Sequence, residues 1–278
     1  MEKTLLLTDL HGNDAALRAI LSTMEARACR RIISLGDQVN FGPESRAVMD
    51  TLRHLGAVML LGNHEERLTH LADFGGYNWT MLHCTAKQLS GIDISALPVD
   101  LRIGDALLTH GTPGDPYHLV MPAELPQVLS ALPEDVHLLL SGHNHLRWDV
   151  ASDGKRAVNP GSAGMNETGT PCTAMFAVWE DDSLTMHSVS YDAEENLRAY
   201  FANGFVDAAP EMTRACMQEM LTGEYQGVMT LVRHVRSVAE QHGMTLGDRE
   251  AWQMADKTFA WRECCTTPEY WEEMRKSL

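Results

Sequence analysis

Seven side chains of metal-ligating type fall in five short clusters along the first half of the chain. They are Asp9 and His11 in Asp9-Leu10-His11, Asp37 after Gly36, Asn63 in Gly62-Asn63-His64-Glu65, His110 before Gly111, and His143 and His145 in Gly142-His143-Asn144-His145. Two aspartates, one amide and four histidines, with His64 besides, are too many donors for one tetrahedral metal. They match two metals that share a bridging carboxylate. No cysteine falls in any cluster, which argues against a thiolate site. A mixed O/N set suits Mn, Fe, Co, Ni or Zn better than Mg or Ca, and manganese is taken first among them. Two such ions about 3.5–4 Å apart activate water and clamp a phosphoryl group, so the implied chemistry is hydrolysis of a phosphate ester. In an extended chain residues i and i+2 point the same way, so His143 and His145 are expected to converge, with Gly142 permitting a tight turn.

Each cluster follows an apolar run that reads as a buried strand: Thr4–Thr8, Ile32–Leu35, Ala57–Leu61, Ala106–Thr109 and Val136–Leu140. Leu17, Ile20, Leu21 and Met24 recur at helical spacing between the first two, and Val48, Leu52 and Leu55 between the next two, with Ser45 as N-cap. Alternating strands and helices predict a largely parallel sheet with helices on its faces. Ligands bind beyond the carboxyl ends of such strands, where all five clusters lie. Segment 65–100 reads as a mostly helical, polar excursion at the sheet edge. Arg147–Ala151, Lys155–Asn159, Thr173–Glu180 and Ser183–Val189 read as strands joined by turns, which predicts a second, antiparallel layer. After Asp192 the chain reads as helical, with stripes at Val228, Leu231, Val232 and Val235 and at Trp252, Ala255 and Phe259. The expected division is residues 1–192 for the catalytic domain and 193–278 for a helical extension packed on it.

The chain has 278 residues and a net charge of −16, which excludes a nucleic-acid binder that works through a basic surface. No apolar run approaches the ~20 residues of a membrane span, and the N-terminus reads as a strand rather than a signal peptide. The six cysteines, at 29, 84, 172, 216, 264 and 265, lack metal-site spacing and read as reduced thiols of a cytoplasmic protein.

The five clusters, in order, resemble the calcineurin-like metallophosphoesterases, whose pattern is D-x-H, G-D, G-N-H-[DE], H and G-H-x-H. The resemblance covers roughly residues 4–190, and Asn159-Pro160-Gly161-Ser162 is similar to a stretch of the small bacterial phosphodiesterase branch. It implies a four-layer α/β/β/α sandwich, with the helical extension outside it. It places one metal on Asp9, His11 and His145 and a second on Asn63, His110 and His143, with Asp37 bridging. His64 and Asn63 would contact the phosphate, His64 as general acid, and a bridging hydroxide would be the nucleophile.

Asn40 and Phe41 depart from the phosphoprotein phosphatases, where an aspartate partners the catalytic histidine and an arginine clamps the phosphate. An amide cannot stabilise an imidazolium as a carboxylate does, so protein phosphatase and dinucleoside polyphosphatase activities are the lesser readings. A non-catalytic metal-binding scaffold is the alternative from another class, and filled ligand positions argue against it. Asn13, Arg147 and His118 lie near the clusters in sequence and are further substrate-contact candidates. Asn13 alternatively caps a helix, and Arg147 pairs on the surface. The expected partner is a small phosphorylated substrate, a nucleotide among the candidates, with self-association through the C-terminal helices as a further expectation.

Overall fold

The computed structural model describes residues 2–262 and Lys276; Cys264 and Cys265 lie outside them. Among the described residues, ten strands form two five-stranded mixed sheets. The first sheet contains β1 (Thr4–Leu7), β2 (Arg31–Ser34), β3 (Val58–Met59), β9 (Thr173–Glu180) and β10 (Ser183–Ser190), in the order β10-β9-β1-β2-β3. The second contains β4 (Asp100–Ile103), β5 (Ala106–Thr109), β6 (Leu138–Leu140), β7 (Trp148–Ser152) and β8 (Lys155–Asn159), in the order β4-β5-β6-β8-β7. Strands β1, β2 and β3 run parallel, as do β5, β6 and β8.

The five cluster-bearing strands therefore do not share one sheet, and the later strands do not form their own layer. Strands β9 and β10 extend the first sheet beside β1, and β7 and β8 extend the second beside β6. Strand β4, which the sequence reading missed, pairs antiparallel with β5. Burial explains the split. Successive side chains of a strand face opposite ways. Leu6, Ile33, Leu108, Leu140 and Val158 meet between the sheets, while Leu5 and Leu7 pack outward. They pack with Leu17 and Ile20 of α1 (Asp14–Ser22) and with Val48 and Leu52 of α3 (Ser45–His54), α2 being the short helix Met24–Arg27. On the far side, Leu139 and Ala157 pack against Leu125 and Leu129 of α6 (Leu125–Ala131). These are the four layers of an α/β/β/α sandwich.

Some boundaries moved. Helix α1 ends at Ser22 because Thr23 turns extended and caps α2, leaving Met24 82% exposed. Ser45 is the first residue of α3, and its Oγ accepts from Asn40 N at 3.0 Å. The 65–100 segment holds α4 (Asn63–Thr69), two 3-10 turns and α5 (Thr80–Gln88) before β4.

From Ala193 the chain forms α7 (Ala193–Ala202), α8 (Phe205–Ala208), α9 (Pro210–Thr222), α10 (Gly227–Gln241) and α11 (Arg249–Asp256). Leu197, Phe205, Cys216, Leu231, Val235 and Trp252 share an apolar cluster that also takes in Met81 of α5 and Met165. Tyr77 Oη donates to Glu211 Oε2 at 2.5 Å across the same contact. No helix of the described residues is long and apolar enough to cross a membrane.

Candidate active site

The loops after β1, β2, β3, β5 and β6 meet at one end of the two sheets. Backbone bonds join them directly, with Asp9 N donating to Gly36 O at 3.1 Å and Gly142 N to His110 O at 2.8 Å. Asp9, His11, Asp37, Asn40, Phe41, His143 and His145 all have φ between 47° and 71°. Left-handed backbone is uncommon away from glycine and persists where the surrounding structure over-determines it. Glycines allow the close approach: a Cβ on Gly62 would sit 2.2 Å from Asp37 Oδ1, and one on Gly142 would sit 2.0 Å from Thr8 Oγ1.

His143 and His145 are thus not side by side on an extended strand. Both lie in a left-handed loop, and their rings serve different groups. His145 Nε2 is 2.9 Å from His11 Nε2 and 3.7 Å from Asp9 Oδ1. His143 joins Asp37 and His110. Asp37 Oδ2 lies 3.2 Å from His110 Nε2 and 3.9 Å from His11 Nε2, so this one carboxylate reaches both groups.

The second group fits a metal ion. The end of the Asn63 side chain lies 2.9 Å from Asp37 Oδ2, 3.1 Å from His110 Nε2 and 3.2 Å from His143 Nδ1. Two ligand atoms about 2.1 Å from one metal at right angles stand ~3 Å apart, so these spacings suit a shared cation. The opposite ring nitrogens are occupied: His110 Nδ1 donates to Leu35 O at 2.9 Å and His143 Nε2 to Tyr117 O at 3.1 Å. Such bonds set the tautomer that presents a lone pair to a metal. Burial holds His143 neutral, its pKa down to about 3. Burial also opposes charge on His110, but Asp37 beside it outweighs this and raises its pKa to about 9. Burial likewise works against ionised Asp37, and His110 and His64 reverse that, holding it well below the usual carboxylate range. The cluster attracts positive charge, as protons or as metal.

His64 lies beside these groups, with Nε2 3.8 Å from Asp37 Oδ2 and Nδ1 2.7 Å from Asn40 Nδ2. The Asn40 Oδ1 accepts from Thr85 Oγ1 at 3.2 Å. With the amide nitrogen donating to Nδ1, the imidazole carries its proton on Nε2. Burial lowers its pKa to about 4.

Three candidates are held elsewhere. Asn13 accepts from Ala16 N at 3.0 Å as the cap of α1 and donates to Gly164 O at 2.8 Å. Arg147 donates to the carbonyls of Pro160 and His187, so backbone acceptors fix its guanidinium. His118 is exposed and lies 3.8 Å from Glu124.

Three other residues were not picked out from the sequence. Glu65 accepts the backbone N–H groups of Asp37, Gln38, Val39 and Gly62 at 2.8–3.2 Å, fixing the loop that presents Asp37. Its place in Gly62-Asn63-His64-Glu65 was the available signal. Glu167 Oε1 lies 2.9 Å from His145 Nδ1. Burial opposes the imidazolium, but this carboxylate outweighs it and pushes His145 up to about 10. No spacing in the sequence marks Glu167, because it reaches the site from the long loop between β8 and β9. Arg67, one turn after Asn63 on α4, approaches the Asn63 amide and stands over the rings of Trp79 and Tyr117 at 5.6 and 5.0 Å. Helical i, i+4 spacing was its signal. It brings a cation to the site where Phe41 stands in place of a clamping arginine.

The groups line a cavity of about 470 Å³. Its lining joins the His and Asp cluster to residues of α9 and α10, among them Met212 and Glu219 of α9 and Val228 and Arg236 of α10.

Comparison with known proteins bears on the fold and the family. An uncharacterized protein of Methanocaldococcus jannaschii, MJ0912, is 23% identical over 218 residues, 68% of this chain and 88% of that protein. The solved structure of a metallophosphoesterase from Sphaerobacter thermophilus matches with a TM-score of 0.63 at 24% identity, covering 79% of this chain and 100% of that one. The hypothetical protein PH1004 from Pyrococcus horikoshii matches with a TM-score of 0.67 at 18% identity, covering 80% and 99%. At these identities the structural likeness shows the shared fold. Residues 3–182, which contain all five loops, match the calcineurin-like phosphoesterase superfamily domain, and the chain belongs to that superfamily.

Proposed function

We propose that the chain is a metal-dependent phosphoesterase that hydrolyses a phosphodiester or phosphomonoester of a small molecule. The observation that supports this best is Asp37, whose carboxylate reaches from the His110–His143–Asn63 group to His11 of the neighbouring group. Divalent transition metal held by these residues would supply activation of water and neutralisation of charge at the phosphoryl group. Asp9, His11 and His145 would hold one ion, and Asn63, His110 and His143 the other.

The remaining work falls to this chain's own side chains. Asn40 orients His64 so that Nε2 keeps its proton on the side facing the cluster. As general acid it would give up the Nε2 proton from the imidazolium form, which a phosphate anion in contact favours and in which the Asn40 amide would turn its oxygen to accept from Nδ1. Arg67 would meet phosphoryl oxygens next to Asn63.

The test is hydrolysis of bis(p-nitrophenyl) phosphate beside p-nitrophenyl phosphate, on protein stripped of metal and reloaded with Mn²⁺. Turnover of the diester supports a phosphodiesterase, and turnover of the monoester alone supports a phosphomonoesterase. Silence on both, with two ions per chain found by metal analysis, would mean a narrow substrate requirement or a scaffold, and silence on esters that carry a second anionic group as well would overturn the reading.

A further inference from the structure

The part of the cavity lining that lies outside the His and Asp cluster suits something other than a phosphate. Met81, Met165, Met212, Val228, Val232 and Leu246 give it an apolar surface. Leu119, Tyr225 and Met229 also line it, although they are 38–47% exposed and rank among the exposed large hydrophobic residues of the molecule. Exposed apolar side chains gathered at one cavity mark a binding surface, whereas scattered ones do not.

Cations are gathered there too. Arg67, Arg233 and Arg236 all line the cavity, in a chain whose net charge is −16. None of the three pairs with a carboxylate among the described residues. Arg233 donates to Gln226 Oε1 at 3.1 Å and Thr230 Oγ1 at 3.0 Å, both neutral. On α10, Val232, Arg233 and Arg236 follow Met229 at helical spacing, so one face presents both an apolar strip and two guanidinium groups.

This wall is tied to the cluster. Glu167 uses Oε1 on His145 and Oε2 to accept Gln226 N at 2.8 Å, just before α10 begins. Glu219 Oε2 accepts Val228 N at 2.7 Å in the first turn. The start of α10 is therefore positioned by a carboxylate that also touches a candidate metal ligand.

Resting on the phosphoesterase reading of the same site, we propose that its substrate is a small phosphate ester with an aliphatic or aromatic body and a second anionic group. The ester phosphate sits at the His and Asp cluster beside Arg67. The body lies on the methionine and valine wall, and the second anion meets Arg233 and Arg236. A volume of about 470 Å³ falls within the range of small-molecule sites. Guanidinium groups suit carboxylate or phosphate oxygens through paired N–H donors.

Binding of two non-hydrolysable probes, phenylphosphonate and 4-carboxyphenylphosphonate, to the metal-loaded full chain would test this by titration calorimetry. The carboxylated probe is expected to bind at least about tenfold more tightly. In the double variant R233A/R236A that ratio should fall toward one, and in R233K/R236K most of it should remain. Equal binding of the two probes by the wild type, failure of both to bind, or an undiminished ratio in R233A/R236A would overturn the proposal. If the ratio and its loss are seen while no ester is turned over, the binding assignment stands and the hydrolase reading falls.

Discussion

Asp37 and His64 are both buried within 4 Å of each other, yet they are expected to fail differently when replaced. We propose that His64 is a proton donor rather than a ligand because its Nδ1 is engaged by Asn40, although its ring also lies close enough to His11 and Asp37 to share a metal with them. His64→Ala should retain bound metal and lose turnover by about 10²–10⁴-fold, the usual worth of a positioned proton donor. Asp37→Ala removes the carboxylate common to both groups and should release metal as well. Metal analysis beside steady-state rates distinguishes the two, and loss of metal from His64→Ala would contradict the division of roles. Glu65 belongs at this scale for a different reason. Its carboxylate is the acceptor for four buried backbone N–H groups, and each buried donor left unpaired costs about 1–3 kcal/mol. Glu65→Ala should lower the free energy of unfolding by roughly 3 kcal/mol or more, read from urea denaturation.

At the scale of elements, the site is an assembly of loop ends from two different sheets, stitched by the stretch after β8. Asn159 donates to Gly142 O at 2.8 Å, Ser162 Oγ donates to Asp9 O at 2.8 Å, and Gly164 N donates to the same carbonyl at 2.9 Å. Glu167, farther along this stretch, supports His145 from behind. Outer partners of ligating histidines typically change metal affinity by 10–100-fold. Glu167→Gln should therefore weaken metal binding by about that factor, measured by competition with a chelator, with the far-ultraviolet circular dichroism unaltered. An unchanged affinity would mean that the 2.9 Å contact does not hold the ring.

For the whole molecule, α7–α11 share an apolar cluster with Met81 of α5 and Met165 of the loop after β8, beside the separate clusters of the sheets and their flanking helices. Trp252 is 1% exposed within it, and Trp252→Ala should destabilise the chain by about 3–5 kcal/mol through the cavity it leaves. Metal should stabilise the same molecule by mass action. At a free ion concentration a hundredfold above Kd the gain is about 2.7 kcal/mol, so chelation should lower Tm and added Mn²⁺ should raise it with concentration. A Tm indifferent to both would show that the clusters bind no metal in the folded state.

The side chains that could hold metal were legible in the sequence because ligation demands particular residue types, and here each stands at the end of an apolar run. Nine of the ten strands were also legible, since burial of a strand leaves an apolar run or an alternating pattern that the chain itself displays. Which strands share a sheet was not: β9 pairs with β1 and β8 with β6 across long stretches of sequence, and pairing partners leave no local trace. The same distance hid Glu167, Arg233 and Arg236, which reach the cavity from a long loop and from α10. The sequence by itself thus determined the inventory of candidate ligands and, through the family, pointed to phosphoester chemistry. The resemblance carried by the sequence already sends His143 and His145 to different metals, while the tertiary structure decided how they part, through left-handed turns that override strand alternation. The tertiary structure alone brought the apolar and cationic residues of α10 to the same cavity as the cluster, since that meeting joins segments more than 80 residues apart.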